Sequence, residues 1–249
     1  MIDHVCILGV PVHAYTYDTL LNTVTYWLEN DKFHHICTVN PEFMMIAQQR
    51  REFFDLLQHV DACIADGVGL LLAARILGRF LPERVTGSDT VELLAGKAAA
   101  RGWRIFFLGA AEGVAEQASQ VLKNRYPDLQ IAGCFAGSPS DDEAASVVDR
   151  INASRADILL VAYGAPQQDL WIDRHKDALD IKLAMGVGGA FDFIAGVVPR
   201  APQWMQRVGL EWLFRLYKQP WRWRRMLRLP LFVLAVIRYR EKPIYWRGV

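Results

Sequence analysis

The fold class of this chain can be inferred from residues 34–69, which read HHICTVNPEFMMIAQQRREFFDLLQHVDACIADGVG. This stretch begins with an apolar, β-branched run at His35–Val39 and continues with a helical pattern at Glu42–Leu57. A second short apolar run follows at Ala62–Ala65. Two short strands separated by a helix of this length indicate a βαβ unit, in which the strands are parallel and buried on both faces.

The same alternation of strand and helix continues on both sides of this unit. The further predicted strands are Val5–Leu8, Ile105–Leu108, Ile131–Phe135, Ile158–Ala162 and Leu183–Val187. The further predicted helices are Asp18–Leu28, Val68–Leu77, Asp89–Ala100, Val114–Arg125, Asp142–Ala153 and Gln168–Ala178. The pattern predicts an α/β fold with a mostly parallel sheet and helices on both faces. Ligands of such sheets bind at the carboxyl ends of the strands, so the residues that follow each strand are the first candidates for a site.

Charge divides the chain into two parts. The 249 residues include 28 Lys and Arg and 27 Asp and Glu, but twelve of the basic residues and only two of the acidic ones lie in residues 200–249. Residues 1–199 are therefore acidic overall, and the tail is strongly basic. We expect a core domain at 1–199 and a helical appendage at 200–249. A basic tail of this kind indicates an anionic partner, either a nucleic acid or a membrane surface.

The aromatic content of the tail favours the membrane over a nucleic acid. Five of the eight tryptophans lie there, and Trp anchors proteins at lipid interfaces. The most apolar stretch, Leu229–Ile237, contains Pro230 and is much shorter than the ~20 residues of a spanning helix. The chain shows no signal peptide, and its four cysteines have no disulfide or metal-site spacing. We expect a cytoplasmic protein held peripherally at the inner face of the cell membrane. The sequence does not decide whether it forms a homo-oligomer.

Polar residues follow the second and third predicted strands. Thr38 and Asn40 end one strand, and Asp66 follows the next. Each stands before a helix, where free backbone N–H groups can bind an anion. Asn40 by itself is better explained as a helix cap. For Asp66, the glycines on either side of Val68 favour close approach of a ligand, and this indicates a functional role.

Three more motifs follow strands or precede helices at the same predicted edge. Arg84 opens the segment RVTGSD before a helix, where a guanidinium suits a diphosphate, although a surface arginine explains it nearly as well. Gln168 follows a GAP turn, and its amide can hydrogen-bond a sugar or a base. Gly188 and Gly189 precede Asp192 in the segment GVGGAFD. Glycines here allow the backbone to approach a phosphate or a ribose.

Missing motifs argue against several classes of enzyme. The glycines do not form the G-x-G-x-x-G fingerprint, which disfavours an NAD-dependent oxidoreductase. No phosphate-binding loop, nucleophilic-serine elbow or H-E-x-x-H motif is present. No D-x-D occurs, so the carboxylate pair that often holds a metal on a nucleoside diphosphate is missing. His34 and His35 are adjacent and face opposite sides of a strand, so they do not share a metal site. We predict neither a metal ion nor a cofactor.

In chain order, these segments resemble the WecG/TagA/CpsF family of bacterial glycosyltransferases (glycosyltransferase family 26). The resemblance covers nearly the whole chain, and every matching segment is short. The segments are TVN at 38–40, ADG at 65–67, RVTGSD at 84–89, GAP with Gln168 at 164–168, GVGGAFD at 186–192, RAP at 200–202 and GLEWLFRL at 209–216. Their common order makes the resemblance specific.

The resemblance implies a Rossmann-like core with a C-terminal appendage, which serves cell-surface polysaccharide synthesis. It implies inverting transfer from a UDP-sugar donor to a polyprenyl-diphosphate-linked sugar acceptor. The transferred sugar is N-acetylmannosamine, its uronic acid or glucose. Asp66 corresponds to the catalytic base, and Thr38, Asn40, Arg84 and Gln168 correspond to residues that line the pocket. The appendage arginines that close over the site at the membrane correspond to Arg215, Arg222 and Arg225.

One segment departs from the family pattern. The family's G-x-P-K-Q-E is G-A-P-Q-Q-D here, with Gln167 in place of lysine and Asp169 in place of glutamate. A cation beside the diphosphate is thereby lost. The main alternative to an enzyme is a non-catalytic peripheral module that binds a nucleotide sugar or a lipid. The presence of Asp66 favours the enzyme.

Overall fold

The computed structural model describes residues 2–202, 204–205, 210–218 and 228–244. Within these residues the strands are β1 (His4–Ile7), β2 (Val10–His13), β3 (His34–Val39), β4 (Ala62–Ala65), β5 (Arg104–Gly109), β6 (Gln130–Phe135), β7 (Ile158–Ala162) and β8 (Leu183–Gly186). Six of them form one sheet in the order β4-β3-β8-β7-β5-β6, and every neighbouring pair is parallel. The predicted α/β fold with a parallel sheet is confirmed.

The helices cover both faces of this sheet. They are α1 (Tyr17–Leu28), α2 (Pro41–Ala47), α3 (Arg51–His59), α4 (Val68–Ile76), α5 (Gly87–Arg101), α6 (Val114–Arg125), α7 (Asp141–Ser154), α8 (Gln167–His175), α9 (Ala190–Ile194), α10 (Glu211–Lys218) and α11 (Arg228–Tyr239). Buried residues of α1, α5, α6 and α9 form the core on one face. Buried residues of α2, α3, α4, α7, α8 and α11 form the core on the other. The short helix α9 was not predicted.

Successive side chains of the central strands enter opposite cores. On β5, Ile105 and Phe107 belong to the core under α5 and α6, and Phe106 belongs to the core under α7 and α8. On β7, Leu160 and Val161 divide in the same way. A strand buried on both faces needs apolar residues at every position. This explains why these strands appear in the sequence as uninterrupted apolar runs.

The first predicted strand, Val5–Leu8, does not join the parallel sheet. Residues of β1 pair antiparallel with β2, and the turn between them has positive φ at Leu8 (51°) and Gly9 (82°). The sequence did not indicate β2, because Pro11 interrupts its apolar pattern and proline is uncommon inside strands. Only the fold reveals that the two segments form a hairpin.

The predicted single helix Glu42–Leu57 is wrong, because the chain forms α2 and α3 with a break between them. The break lies at Gln48, whose side chain is fully buried. Its Nε2 donates to the Leu8 carbonyl oxygen at 3.0 Å, and its Oε1 accepts from Ile244 N at 2.7 Å. Gln48 thus satisfies backbone groups of two distant segments. The helical periodicity of the sequence gives no indication of these contacts.

The last described helix returns to the body of the protein. Phe232, Ala235 and Val236 of α11 are buried in the same core as α2 and α4. After the helix, the Arg240 carbonyl oxygen accepts from Leu8 N at 3.0 Å. None of the described helices is long and apolar enough to cross a membrane.

Candidate functional site

The carboxyl ends of β4, β3 and β8 lie side by side because β3 pairs with both neighbours. Thr38 lies next to the last residue of β3 and is almost fully buried. Its hydroxyl donates to the Gly186 carbonyl oxygen at 2.9 Å. Thr38 therefore joins the ends of β3 and β8 at the centre of the edge where α/β proteins bind ligands.

Asp66 follows β4 at this edge and is half-buried. Its Oδ2 accepts a hydrogen bond from the backbone N of Gly87, the first residue of α5, at 3.3 Å. A Cβ atom added to Gly87 would lie 3.2 Å from Thr38 Cγ2 and 3.7 Å from Asp66 Oδ2. The absence of a side chain at Gly87 therefore lets the N terminus of α5 approach both residues. A helix N terminus stabilises a nearby negative charge, so this position suits a carboxylate.

The glycines beside Asp66 have a packing role. Gly67 precedes α4 at a φ of 136°, a conformation that glycine adopts without strain. A Cβ atom on Gly69 would lie 2.6 Å from Pro41 Cγ, which is far inside van der Waals contact. Gly69 therefore lets the N termini of α2 and α4 pack together. The ligand approach that the sequence indicated at these glycines stays a prediction.

Asn40 has the capping role that the sequence indicated. Its Oδ1 accepts from Glu42 N at 2.9 Å and from Phe43 N at 3.1 Å, and it is the N-cap of α2. The cap fixes the first turn of α2 directly after β3. Only the oxygen of the Asn40 side chain takes part in the cap, so its amide N–H groups can still donate to a ligand.

Gln168 is fully buried and shapes the site from beneath. Its Oε1 accepts from Gly164 N at 3.1 Å and from Gly188 N at 2.9 Å. Its Nε2 has no hydrogen-bond partner among the described residues. Gln168 therefore ties the turn after β7 to the turn after β8.

The GVGGAFD segment makes the turn after β8 and begins α9. Gly188 has a φ of 52°, and Gly189 is the N-cap residue of α9. Asp192 lies in the first turn of α9 and is half-buried. A Cβ atom on Gly189 would lie 3.5 Å from Asp192 Oδ2, so that carboxylate lies against the turn. The segment places a carboxylate and two glycines beside the end of β8, as predicted.

Arg84 contacts α10, which lies in the segment that the sequence predicts to be the appendage. Its Nη1 lies 3.4 Å from Glu211 Oε2 of α10, and each side chain is about one-fifth exposed (20% and 18%). The predicted appendage arginines cannot be compared in the same way. Arg222 and Arg225 lie outside the described residues, as does the side chain of Arg215.

A polar network that the sequence did not indicate lies at the N terminus of α5. The hydroxyl of Tyr17 accepts from Thr86 N at 2.9 Å and donates to Asp89 Oδ2 at 3.2 Å. Arg200 Nη1 donates to Asp89 Oδ1 at 2.7 Å. Burial opposes ionisation of Asp89, but hydrogen bonds from Arg200 and Thr86 outweigh it and lower the pKa of Asp89 below its ordinary value. Burial raises the pKa of Tyr17 to about 12, so its hydroxyl stays protonated and can donate.

Only part of this network had a signal in the sequence. Arg200 begins the RAP segment and could have been proposed as a site residue on that basis. Tyr17 lies at the start of α1 with no local motif around it. Its contacts with Thr86 and Asp89 span about seventy residues of sequence.

A groove of about 510 Å³ opens beside this edge, between α2 and the turn after β7. Residues that line it include Glu42, Arg50, Tyr163, Gly164, Pro166 and Arg228. Gly164 is hydrogen-bonded to Gln168, so the groove adjoins the turns after β7 and β8. Across its rim, Arg228 Nη1 lies 3.1 Å from Glu42 Oε1. The volume lies within the range of small-molecule sites in proteins.

Known proteins match this chain over most of its length. The sequence model described as the glycosyl transferase WecG/TagA/CpsF family matches residues 5–244. An N-acetylglucosaminyldiphosphoundecaprenol N-acetyl-beta-D-mannosaminyltransferase from Bacillus spizizenii is 36% identical over 224 residues, which cover 89% of this chain and 86% of that protein.

Two further relatives have the same name. The Bacillus subtilis protein is 36% identical over 203 residues, which cover 82% of this chain and 78% of its own length. The protein from Staphylococcus aureus strain MRSA252 is 29% identical over 238 residues, 95% of this chain and 93% of that protein. The family match spans every strand of the parallel sheet and all the site segments named above. The chain therefore belongs to the WecG/TagA/CpsF family of glycosyl transferases.

Proposed function

We propose that this protein is an inverting glycosyltransferase that moves an N-acetylmannosamine-type sugar from a UDP-sugar to a polyprenyl-diphosphate-linked sugar. The uronic acid of that sugar and glucose are the alternative donor sugars. The observation that carries the proposal is the meeting of Asp66, Thr38 and Gly87 at the ligand edge of the sheet. The names of the relatives, which are N-acetylmannosaminyltransferases acting on a diphosphoundecaprenol-linked sugar, support the acceptor and the sugar.

The proposed chemistry is a single displacement with Asp66 as general base. The carboxylate of Asp66 takes the proton from the acceptor hydroxyl while that oxygen attacks the anomeric carbon of the donor. The bond from that carbon to the UDP oxygen breaks on the opposite face, so the configuration inverts. The partial exposure of Asp66 supports this role because the acceptor hydroxyl must reach the carboxylate.

The departing diphosphate gains negative charge, which must be met by fixed dipoles or cations. The N termini of α4 and α5 lie beside Asp66 and supply positive dipole ends. Arg84 lies just before α5. Its contact with Glu211 is long, at 3.4 Å, and therefore weak, so a phosphate can replace Glu211 as the partner of the guanidinium. We propose that Arg215, Arg222 and Arg225 complete the positive charge when the appendage closes over the site.

The remaining predicted site residues bind or shape the donor pocket in this proposal. Asn40 donates its amide N–H groups, and Asp192 accepts from sugar or ribose hydroxyls. Gly188 and Gly189 keep the turn after β8 free of side chains, which permits backbone contact with the ligand. Gln168 acts from beneath by holding the backbone of Gly188 in place.

The chemical step in this proposal uses no divalent metal ion. The chain has no D-x-D motif to hold a metal on the diphosphate. We expect the transfer rate to be unchanged in saturating EDTA. A rate that EDTA abolishes and Mg²⁺ or Mn²⁺ restores would contradict this part of the proposal.

We also propose that the appendage holds the enzyme on the inner face of the cell membrane. Opposite its buried face, α11 exposes Leu231, Leu234 and Ile237, each more than half accessible to solvent (54%, 63% and 57%). Arg240 and Lys242 follow the helix. Exposed apolar side chains beside cationic ones suit an anionic lipid surface. Each Lys or Arg near such a surface contributes ~1 kcal/mol to the free energy of binding.

The membrane proposal is tested by changing α11 without uncovering its buried face. Leu234→Gln combined with Ile237→Gln should weaken sedimentation with vesicles that contain anionic lipid. Leu93→Gln, on α5 at the opposite face of the sheet, is the control because Leu93 is also exposed. Equal vesicle binding by all three proteins would overturn the assignment of α11, and stronger salt-sensitive binding to DNA than to vesicles would favour a nucleic acid.

The activity itself is tested with a panel of UDP-sugars and a synthetic prenyl-diphosphate-linked N-acetylglucosamine acceptor. We expect acceptor-dependent release of UDP, fastest with UDP-N-acetylmannosamine, and a product heavier by one sugar in mass spectrometry. UDP release that does not need the acceptor would indicate hydrolysis instead of transfer. Binding of UDP-sugars with no transfer from any of them would support the non-catalytic module.

A further inference from the structure

Three side chains that can each ligate a metal ion meet beneath the site. His35 and Cys37 lie two residues apart on β3, so they point to the same face of the sheet. Asp169 lies in the first turn of α8, which packs against that face. All three residues are buried, and their ligand atoms lie within 4.8 Å of one another. The separation of 132 residues between Cys37 and Asp169 explains why motif spacing did not reveal the cluster.

The nitrogen–oxygen distance in the cluster is long for a hydrogen bond, and the two distances to sulfur are ordinary for one. Asp169 Oδ1 lies 3.4 Å from His35 Nε2 and 3.3 Å from Cys37 Sγ, and the sulfur and nitrogen are 3.7 Å apart. Hydrogen bonds between nitrogen and oxygen usually measure 2.7–3.2 Å. Sulfur, nitrogen and oxygen bound tetrahedrally to one zinc ion would be about 3.3–3.6 Å apart, given the usual zinc–ligand bond lengths. The triangle of ligand atoms therefore has the size of one face of a zinc tetrahedron.

The burial of Asp169 favours a positive charge close to its carboxylate. Its side chain is fully buried, and its Oδ2 has no hydrogen-bond partner among the described residues. Its Oδ1 contacts only His35 and Cys37, and burying a carboxylate with one oxygen unsatisfied is costly. A divalent cation bound to one carboxylate, one thiolate and one neutral imidazole would leave the cluster without net charge. With three protein ligands, the fourth corner of the tetrahedron would fall to a water molecule, because the second oxygen of Asp169 is too close to the first to occupy it.

The surrounding backbone leaves room for this arrangement. A Cβ atom on Gly186 would lie 2.3 Å from Asp169 Oδ1 and 2.5 Å from Gln168 Nε2. Only glycine at this position of β8 allows both side chains to reach beneath the strand. The cluster therefore lies directly under the Thr38–Gly186 hydrogen bond and beside the Gln168 bonds to the two turns.

We propose that His35, Cys37 and Asp169 form a buried site for a zinc-like divalent cation. The ion cross-links β3 to α8 beneath the ligand edge. Because all three residues are buried, the ion has no position open to substrate and takes no part in the chemical step. This role is structural, and it is compatible with a transfer reaction that EDTA does not inhibit.

The test uses the full-length, untagged protein, purified without added metal or chelator. We expect about one zinc ion per chain by elemental mass spectrometry, as for other structural sites. Cys37→Ser and His35→Gln should each lose most of it. Cys63→Ser is the matched control, because Cys63 is equally buried and is the register partner of Cys37 on β4, yet its thiol contacts the Leu57 carbonyl oxygen.

Growth with cobalt in place of zinc gives a second measurement that needs no variant. Wild-type protein should show the near-ultraviolet charge-transfer band of a cobalt–thiolate bond and the visible bands of tetrahedral cobalt. The Cys63→Ser protein should keep these bands. Folded wild-type protein with neither metal nor cobalt bands would overturn the proposal and leave a hydrogen-bonded cluster. Equal metal contents in wild type and Cys37→Ser would also overturn it. Neither measurement depends on activity, so the metal site is tested separately from the proposed transfer reaction.

Discussion

Two aspartates at the same edge of the sheet have opposite surroundings. Asp66 is half-buried, and its Oδ2 accepts a hydrogen bond from the first residue of a helix. Asp169 is fully buried, and one of its oxygens has no hydrogen-bond partner in the described part of the chain. Solvent reaches the first carboxylate but not the second. A carboxylate near the end of a strand is thus only a candidate for a catalytic residue, because its access to solvent decides which chemistry it can perform.

The difference arises from how the chain leaves each strand. After β4 the chain turns at Gly67 into α4, and Asp66 stays at the surface of the edge. After β7 the chain turns into α8, and the first turn of that helix packs beneath β8 at Gly186. The same helix turn carries Gln168, which holds the neighbouring turns. Asp66 is therefore partly open to solvent at the candidate site, and Asp169 is buried beneath it.

The largest expected effect is on the exposed aspartate. Asp66→Asn should lower kcat by about 10²–10⁴-fold, the usual contribution of a general base, while the KM for the donor changes little. Steady-state kinetics of sugar transfer measure both constants. Asp142→Asn, at an exposed position of α7, is the control. Turnover near that of wild type in Asp66→Asn would remove Asp66 from the mechanism and erase the contrast between the two aspartates.

The next effect is on the buried side. Gly186→Ala should lower the free energy of unfolding by about 3 kcal/mol, because the added methyl overlaps Asp169 Oδ1 and Gln168 Nε2 in a closely packed interior. Urea denaturation measures the change. In Gly189→Ala the new atom meets its nearest neighbour at 3.5 Å, an ordinary contact, so that variant should be close to wild type in stability. Equal stability of the two variants would show that the space under β8 is not restricted.

A smaller effect tests the bond between the ends of β3 and β8. Thr38→Val removes the hydroxyl that donates to the Gly186 carbonyl oxygen and should lower the free energy of unfolding by about 1 kcal/mol. Thr38→Ser keeps the hydroxyl and should retain most of that contribution. If denaturation shows the serine variant to be as unstable as the valine variant, the methyl group of Thr38 matters rather than its hydrogen bond.

The smallest effect concerns the network at the N terminus of α5. The pKa of Asp89 is lower in the folded protein than its ordinary value of 3.8. The carboxylate therefore stabilises the fold fully above about pH 3.8, and that contribution is lost as the pH falls through the lower folded pKa. The stability difference between wild type and Asp89→Asn should be largest at neutral pH and shrink in acid. A difference that stays constant between pH 7 and pH 3 would contradict the assignment to the charge.

Much of the fold could be predicted because it depends on local patterns. The strands Ala62–Ala65 and Ile158–Ala162 and the helix Val114–Arg125 have the predicted bounds. Each is a periodic or uninterrupted apolar segment between turn residues, and such signals are contained within a few neighbouring positions. The sequence failed where a distant contact decides the backbone, as at Gln48, which interrupts a helical pattern to bind Leu8 and Ile244.

The features of the candidate site likewise divide into those that follow from local patterns and those that depend on distant contacts. By itself the sequence determined that the polar residues after β3, β4 and β8 meet at one edge, because parallel strands bring their carboxyl ends together. It could not decide which of these side chains are exposed, since burial depends on helices that pack from elsewhere in the chain. Tertiary structure alone placed Gln168 and Asp169 under Gly186, and brought Tyr17 and Arg200 to Asp89. Contacts between residues far apart in the chain follow from the packing of whole elements, which no local pattern contains.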